Sequence, residues 1–202
     1  MARRSLRNAC LAYLLQCEGG DALAMEQLQA SDNMTDTLAA LQGLVWARAP
    51  GAEEALDRFE QRWRDDALVM NKWFSIQASI PGADTVERVR SLLRHPAFSL
   101  GNPNKVRSLI GVFSLMNQTG FHAADGSGYR LLSEQVIQLD ALNPQIAARM
   151  VGAFNPWTRY DAGRQALMKT ELQNIAGAEG LSSDVGEIVG NALAMKIPGK
   201  PR

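Results

Sequence analysis

The sequence predicts an all-α fold, and three observations support this prediction. Apolar residues recur at the spacing of one helix face in successive segments of the chain. Sustained alternation of apolar and polar residues, which is typical of strands, is absent. Pairs that contain Gly or Pro separate the periodic segments, at Gly19-Gly20, Pro50-Gly51 and Pro81-Gly82. We therefore expect helices from end to end and no sheet.

The periodic segments define the predicted helices in chain order. Each apolar set forms a stripe along one helix that faces a neighbouring helix. The helices begin roughly every 14 to 20 residues, so that helix pairs repeat near the period of helical solenoids. We expect about eleven helices in an irregular superhelical stack of antiparallel pairs, like HEAT or armadillo repeats. The sets are Leu38, Leu41 and Val45; Leu56, Phe59 and Trp63; Val69, Trp73, Ile76 and Ile80; Val86, Val89 and Leu93; Val106, Leu109, Ile110, Phe113 and Met116; Leu132, Val136 and Leu139; Ile146, Met150 and Phe154; Met168, Leu172 and Ile175; Val185, Ile188 and Val189.

Capping residues mark where several of these helices begin. Asn102-Pro103 and Asn143-Pro144 each place Asn at an N-cap and Pro at the first helical position. Asp184 and Glu187 have the spacing of a capping box, with Asp in place of the usual Ser or Thr. We therefore expect helices to open at residues 103, 144 and 185.

Two segments do not fit the helical pattern. His95-Pro96 and Gly101 force non-helical backbone between residues 95 and 102. Residues 117–128 are rich in Gly, Asn, Asp and Ser, which favour turns. Loops on a rigid helical scaffold commonly carry function, so these two segments are candidates for it.

The length of the chain and its punctuation predict one domain. A chain of 202 residues is long enough to bury a substantial core. No linker interrupts the pattern, so we predict a single domain over residues 1–195. Residues 196–202 form a predicted tail, because Pro198, Gly199 and Pro201 prevent a helix there. The tail is interpreted as a frayed end or a remnant of cloning.

The composition and charge argue against several classes of partner. Apolar residues make up 46% of the chain and charged residues 21%, which is ordinary for a soluble globular protein. Lys plus Arg and Asp plus Glu each number 21, so no net field attracts nucleic acid or an anionic membrane. No apolar run approaches the roughly 20 residues that span a bilayer. We therefore expect no nucleic-acid partner and no membrane partner.

The two cysteines are predicted to be structural. Cys10 and Cys17 lie two turns apart on one predicted helix face, at a separation of about 10 Å. This separation exceeds the reach of a disulfide. We expect both side chains to be small, buried and hydrophobic, in a reducing compartment such as the cytoplasm.

A metal site is not expected in this chain. A helical zinc site needs two His one turn apart with a Glu between them, and a further acidic ligand. His95 and His122 are the only histidines, and they are far apart in the sequence. A site formed by both histidines and Asp125 remains an alternative. The preferred interpretation makes His95 a helix-end residue and His122 a hydrogen-bonding loop residue.

No catalytic residue is predicted either. Gly126-Ser127-Gly128 has a superficial likeness to a nucleophile elbow, which needs a preceding strand that the sequence does not predict. A turn explains the segment better, with Asp125 and Ser127 bonding nearby backbone and the glycines adopting positive φ. A small hydrolase that uses Ser127 is a remote alternative.

Three polar residues on predicted helices are candidates for binding. Gln145 and Arg149 lie one turn apart, while Ile146 and Met150 face elsewhere. Arg107 occupies the helix that begins at Pro103. Composition alone favours a solvated surface for each of them.

Six blocks of residues follow one another along the chain in a particular order. The blocks are Asn33-Met34-Thr35-Asp36, Leu68-Val69-Met70-Asn71-Lys72-Trp73-Phe74, Asn102-Pro103-Asn104-Lys105-Val106-Arg107-Ser108-Leu109-Ile110-Gly111, Phe121-His122-Ala123-Ala124-Asp125-Gly126-Ser127-Gly128-Tyr129, Asn143-Pro144-Gln145 and Arg159-Tyr160-Asp161. Their order and spacing resemble the C-terminal helical domain of bacterial aminopeptidase N, a family of zinc-dependent gluzincin metallopeptidases. The resemblance covers nearly the whole chain, from Arg4 to the last helix.

The resemblance implies a bowl of helix pairs that caps a thermolysin-like catalytic domain and encloses its active site. It implies that the zinc ligands, the catalytic Glu and the amine-binding Glu lie upstream. This chain then needs no cofactor, and zinc belongs to a parent enzyme that removes N-terminal residues from peptides. The chain alone should be inactive. Its implied partners are the upstream catalytic domain of the same polypeptide and, in the full enzyme, peptide substrates.

The resemblance also assigns candidate substrate-binding residues. Arg107, Gln145 and Arg149 match cavity-facing positions of the family's domain. An arginine there would meet a carboxylate or carbonyl group of the substrate on the primed side of the cut bond, because its planar donors suit planar acceptors. A second hypothesis is a free-standing helical solenoid that binds a protein or peptide through its concave face.

Overall fold

The computed structural model describes residues 2–196, and every regular element within them is helical. A π-helical turn, Arg107–Gly111, joins the helical segments Pro103–Val106 and Val112–Met116. With these two labelled segments counted as one helix, the described residues form twelve helices. The prediction of an all-α fold with about eleven helices is confirmed. The helices are α1 (Ala2–Leu14), α2 (Gly20–Ala30), α3 (Met34–Trp46), α4 (Ala52–Trp63), α5 (Ala67–Ala78), α6 (Thr85–Leu92), α7 (Pro103–Val106), α8 (Val112–Met116), α9 (Gln118–Phe121), α10 (Ser127–Asp140), α11 (Pro144–Val151), α12 (Ala162–Ala176) and α13 (Ser183–Ala194).

The described residues divide into two compact units, residues 2–76 and residues 77–196. In the first unit, α3 packs against α1, α2 and α4. Its buried core includes Leu41, Leu44, Leu56 and Phe59. The single domain proposed for residues 1–195 stays a prediction. The predicted tail beyond Lys196 lies outside the described residues.

A buried carboxylate holds the helices of the first unit together. Asp36, in the first turn of α3, is 1% exposed. Its carboxylate accepts hydrogen bonds from Asn33 Nδ2 at 2.8 Å and Asn8 Nδ2 at 3.0 Å, and it pairs with Arg7. Gln27 of α2 donates to Asn8 Oδ1 at 2.9 Å and to the Asp36 carbonyl at 3.1 Å. The bond from Asn33, then those from Asn8 and the Arg7 charge, lower the pKa of Asp36 below its usual 3.8.

The second unit is built around α10. This helix packs against α6, α9, α11 and α12, and α13 packs against α11 and α12. Aromatic rings fill the space beside α10, and they meet mostly edge to face, which is a favoured geometry. Phe121 lies 5.2 Å from Tyr129 and 6.0 Å from Phe113 between ring centroids. These three rings are almost completely buried.

The cap of α13 differs from the sequence prediction. Ser182, not Asp184, is the N-cap, and its Oγ accepts from the Val185 amide at 3.3 Å. Asp140 at the end of α10 is buried and accepts from the Ser182 amide at 2.8 Å and from Ser182 Oγ at 2.5 Å. The capping-box prediction is wrong, because this contact with α10 starts the helix earlier and leaves Asp184 in the first turn.

The loop predictions are confirmed in one segment and partly in the other. Residues 95–102 contain only turns, bends and irregular backbone. Residues 117–128 contain α9, a four-residue helix capped by Asn117, whose Oδ1 accepts from the Gly120 amide at 2.9 Å. Asn117 Nδ2 also donates to the carbonyls of Ala78 and Ile80, which fastens this segment to the end of α5.

The prediction that the cysteines are buried is wrong. Cys10 and Cys17 are both free and exposed. Cys10 lies on α1, where Leu11 is the one buried residue. Helical spacing places Cys10 on the side of α1 that faces away from the rest of the unit.

Candidate functional site

The helices that carry the candidate binding residues begin as the sequence predicts. Asn102 and Asn143 accept hydrogen bonds from backbone amides in the first turns of α7 and α11. Pro103 and Pro144 occupy the first helical positions. Both helix starts are therefore fixed by local chemistry, which positions the residues that follow.

Arg107 lies in a π-helical turn that the sequence did not reveal. The turn covers Arg107–Gly111 within an otherwise continuous helix. The Arg107 side chain is exposed, and its Nη1 donates to Asn104 Oδ1 at 2.9 Å. Single π turns inside helices occur frequently at functional sites. They follow from packing around the helix, so apolar periodicity alone gives no signal for them.

Gln145 and Arg149 lie on the exposed face of α11. Ile146 and Met150 point the other way and are buried, at 9% and 2% exposure. This confirms the predicted polar strip, with one amide and one guanidinium a helical turn apart.

The π turn and α11 approach each other closely. A Cβ atom placed on Gly111 would lie 3.8 Å from Met150 Sδ and 3.9 Å from Arg107 Cβ. Met150 directly follows Arg149 on α11. The structure therefore brings the turn that carries Arg107 next to the helix that carries Gln145 and Arg149.

A second polar cluster surrounds His122. Its Nδ1 lies 2.8 Å from the Tyr129 hydroxyl, and its Nε2 lies 2.8 Å from the Tyr160 hydroxyl. The Tyr160 ring stacks on the imidazole, with centroids 4.3 Å apart. Arg164 Nε donates to the His122 carbonyl at 3.0 Å. This confirms His122 as a hydrogen-bonding loop residue.

The electrostatics of this cluster favour the neutral imidazole. Burial, and then the charge of Arg164, lowers the pKa of His122 below 6.5. Burial raises the pKa of Tyr129 to about 12, so its hydroxyl stays protonated. In a neutral imidazole one ring nitrogen donates a hydrogen bond and the other accepts one. One tyrosine hydroxyl therefore accepts from the ring, and the other tyrosine hydroxyl donates to it. The cluster therefore connects the His122 loop to α10 and α12, and both ring nitrogens of His122 have a hydrogen-bond partner.

Spacing alone gave no hint of the pairing with Tyr160. It lies 38 residues from His122, just before α12, and α12 packs against α10. An open cleft of about 570 Å³ lies beside them, lined also by Gln118, Thr119 and Arg164. Arg164 Nη1 is paired with Asp161 Oδ2 at 2.7 Å. The polar groups at this cleft are thus largely engaged with one another.

The turn interpretation of residues 125–128 is confirmed. Asp125 Oδ1 accepts from the Ser127 amide at 3.0 Å and from Ser127 Oγ at 2.7 Å. Gly126 has a φ of 70°, as predicted for a turn glycine. The prediction of a positive φ is wrong for Gly128, which lies in the first turn of α10. Glycine is required there for space, because a Cβ would lie 2.4 Å from the Phe121 carbonyl oxygen. No strand precedes Ser127 in the described part of the chain.

The described residues do not form a zinc site. Within residues 2–196, no three or more His, Cys, Asp and Glu side chains are grouped so that they could hold a metal ion. Both ring nitrogens of His122 bond to tyrosine hydroxyls, and the Asp125 carboxylate accepts a hydrogen bond from Ser127.

Comparison with known proteins identifies the family. Residues 1–194 match the family described as "Domain of unknown function (DUF3458_C) ARM repeats". The chain belongs to the DUF3458_C family. The repeat description agrees with the predicted helical stack, and the described helices agree with it as well.

Relatives of this DUF3458_C chain include bacterial aminopeptidases. It is 43% identical over 196 residues to aminopeptidase N of Escherichia coli K12 and 42% identical over 193 residues to that of Haemophilus influenzae. Each match covers 96% of this chain and 22% of the relative. The crystal structure of Legionella pneumophila aminopeptidase A in complex with aspartic acid matches with a TM-score of 0.89 and 38% identity. That match covers 94% of this chain and 23% of the other.

The predicted resemblance is therefore confirmed at the level of sequence and fold. The DUF3458_C chain corresponds to the C-terminal part of aminopeptidase N and spans less than a quarter of the relatives it matches. In the described residues, no helix has the length and apolar character needed to cross a membrane.

Proposed function

We propose that this chain is the non-catalytic C-terminal domain of a zinc-dependent aminopeptidase that removes N-terminal residues from peptides. It encloses the active-site cavity of the parent enzyme and restricts access to peptides with a free end. Zinc and its ligands belong to the upstream catalytic domain of the same polypeptide, and the parent enzyme is cytoplasmic. The observation that carries the proposal is the match of nearly the whole chain to less than a quarter of aminopeptidase N.

Arg149, Arg107 and Gln145 are the proposed contacts with the primed side of the substrate. All three side chains are exposed, so a ligand can reach them, and Arg107 keeps further N–H donors besides the one bonded to Asn104. Arg149 and Gln145 share one face of α11, and the π turn places Arg107 on the neighbouring helix. Guanidinium groups bind carboxylates through two parallel hydrogen bonds, so this strip suits the free carboxylate of a short peptide.

Substitution Arg149→Ala in the full-length polypeptide tests the proposal. We expect KM to rise about tenfold for tripeptides with a free carboxylate, because a charge-assisted hydrogen bond contributes about 1.5–3 kcal/mol. For an alanyl chromogenic substrate, which has no primed-side peptide, KM should change little. Steady-state kinetics with both substrates measure the difference.

The matched control is Arg159→Ala, which removes an exposed arginine from a 3-10 turn outside the proposed site. It should leave both KM values unchanged. Equal effects of Arg149→Ala on both substrates, or none on either, would contradict the primed-side assignment. The isolated 202-residue chain with added Zn²⁺ gives the background, where robust hydrolysis would refute its non-catalytic role.

A further inference from the structure

A cleft of about 380 Å³ lies between the end of α6, the loop of residues 95–102 and the middle of α10. We name it the α6–α10 cleft, and all three of its walls belong to the unit of residues 77–196. Its volume is at the lower end of the range of about 300–1,000 Å³ that is usual for ligand pockets. The loop is one of the two segments that do not fit the helical pattern, and the proposed function gives it no role.

Contacts within the protein fix the walls of the α6–α10 cleft. Arg90 Nη1 of α6 pairs with Glu134 Oε2 of α10 at 2.7 Å, which joins the two helices. In the loop, the Phe98 amide donates to the His95 carbonyl at 2.8 Å and closes a turn. A cleft whose walls are already ordered loses less conformational entropy when a ligand binds.

Gln135 of α10 has a buried side chain that lacks a protein partner. It is 8% exposed and lines the α6–α10 cleft, so its remaining exposure is to this cleft. Within residues 2–196, its amide group forms no hydrogen bond to another protein group. Buried polar side chains nearly always have a partner, so a group from outside the chain is expected to bind this amide. A Gln amide has both an acceptor and donors, which complement the N–H and C=O of a peptide group.

Arg94 provides a cation at the same cleft. Its side chain is exposed, and in the part of the chain that the structure describes its guanidinium forms no ion pair and no hydrogen bond. Arg90, the second arginine of the lining, is engaged by Glu134 and by Glu87. Arg94 is therefore the arginine of the lining that is available to a ligand. A guanidinium binds a carboxylate through two parallel hydrogen bonds.

We propose that the α6–α10 cleft binds the C-terminal residue of a peptide with an apolar side chain at that end. The terminal carboxylate pairs with Arg94, and the last peptide group bonds the amide of Gln135. Leu93 and Leu100 also line the cleft and supply apolar contacts for the side chain. The proposed primed-side contacts line no part of this cleft, so it is a second site that does not depend on the proposed function.

N-acetyl-L-leucine is the smallest probe that carries the carboxylate, the amide and the apolar group together. Amide NMR spectra of the 202-residue chain measure its binding, with no catalytic readout. We expect shifts of the Gln135 side-chain amide signals and of the backbone signals of residues 95–102. Kd for N-acetyl-L-leucinamide should be at least tenfold higher, because this compound lacks the carboxylate. N-acetyl-alanyl-alanyl-leucine should bind at least as tightly as N-acetyl-L-leucine, because it presents the same end on a longer peptide.

Two variants separate recognition of the ligand from the stability of the fold. Arg94→Ala and Gln135→Met should each raise Kd for N-acetyl-L-leucine about tenfold. Gln135→Met keeps the approximate size of the side chain, and its Tm should be unchanged or higher, because the amide has no hydrogen bond within the protein to lose. Arg130→Ala is the matched control, at an exposed position of α10 outside the cleft, and it should leave Kd unchanged.

Several results would overturn the inference. Equal binding of N-acetyl-L-leucinamide and the acid would show that the carboxylate is not recognised. Shifts confined to α11 would place the ligand at the proposed substrate strip, and the absence of any shift would leave the cleft without this ligand. Weaker binding of the longer peptide would restrict the cleft to free acylated amino acids. A fall in the Tm of Gln135→Met would give its amide a structural role in place of the proposed contact.

Discussion

Single residues in this protein carry roles that follow from their burial. His122 is one of two histidines, and the fold places it between two tyrosine hydroxyls in a largely buried position. Burial disfavours its charged form, and Arg164 adds to this effect. A protonated ring could no longer accept a hydrogen bond from either tyrosine. The cluster is therefore sensitive to acid.

We expect the stability of the chain to fall as the pH decreases below about 6.5 because of His122. The unfolded chain binds a proton below pH 6.5, whereas the folded chain binds it only at lower pH. Stability is thus complete above pH 6.5 and is lost as the pH decreases. Urea unfolding at several pH values, followed by circular dichroism, measures this loss.

His122→Asn should remove this dependence, and His95→Asn should retain it, because it leaves the His122 cluster in place. Unchanged pH dependence in His122→Asn would show that another group titrates. The comparison is matched, since each variant removes one of the two histidines of the chain.

Asp36 has the opposite dependence on pH. Its pKa is lowered, so the stability that it contributes is present above 3.8 and is lost as the pH falls through the folded pKa. We expect Asp36→Asn to lower the urea midpoint at neutral pH and to weaken the additional loss in acid. Tryptophan fluorescence follows it, because Trp46, Trp63 and Trp73 all lie in the first unit. Asp65→Asn, at an exposed position of the same unit, should leave the midpoint unchanged.

At the scale of elements, alanine substitutions at two glycines test how closely neighbouring segments pack. Gly128 at the start of α10 lies against the backbone of Phe121, where a Cβ would be only 2.4 Å from the carbonyl oxygen. We expect Gly128→Ala to destabilise the chain by about 1–3 kcal/mol, because backbone must move to admit the methyl group. Urea unfolding monitored by circular dichroism measures the change.

Gly111→Ala is the corresponding control. Its methyl group would make ordinary contacts, at 3.8 Å from Met150 Sδ. Alanine is favoured over glycine within helices by about 0.5–1 kcal/mol, so this variant should be equally stable or slightly more stable. If Gly111→Ala lowered the free energy of unfolding as much as Gly128→Ala does, the space between α11 and the π turn would be too small for a methyl group.

The start of α13 provides another test. Ser182→Ala should cost about 1–2 kcal/mol in stability, because it removes the cap and the hydroxyl that bonds buried Asp140. Asp184→Ala should cost about 0.5 kcal/mol, the size of a helix-dipole interaction in a first turn. Thermal unfolding of both variants distinguishes them. A larger loss of stability in Asp184→Ala than in Ser182→Ala would instead support the capping box that the sequence suggested.

At the scale of the whole molecule, two properties go together. The chain has no net charge, and its first helix exposes the apolar side chains of Leu6 and Tyr13. The relatives that it matches are more than four times longer than the matched segment. This partial coverage fits a domain of a larger polypeptide.

Local chemistry predicted much of the fold. Asn102-Pro103 and Asn143-Pro144 start their helices without help from distant residues, and the turn at Asp125 and Gly126 closes on itself. The exposed strip of Gln145 and Arg149 follows from helical periodicity. The predicted start of α13 was wrong because of a contact distant in the sequence: Ser182 donates a hydrogen bond to Asp140 of α10.

The sequence by itself determined the all-α fold, the family resemblance and the faces of most helices, because spacing and capping act within a few residues. Tertiary structure alone decided that Tyr160 meets His122, that a π turn carries Arg107, and that α1 exposes apolar side chains. Each of these depends on how one helix packs against another, and packing partners distant in the chain leave no local pattern. Side-chain volumes and buried hydrogen bonds, summed over the packed helices, select that arrangement.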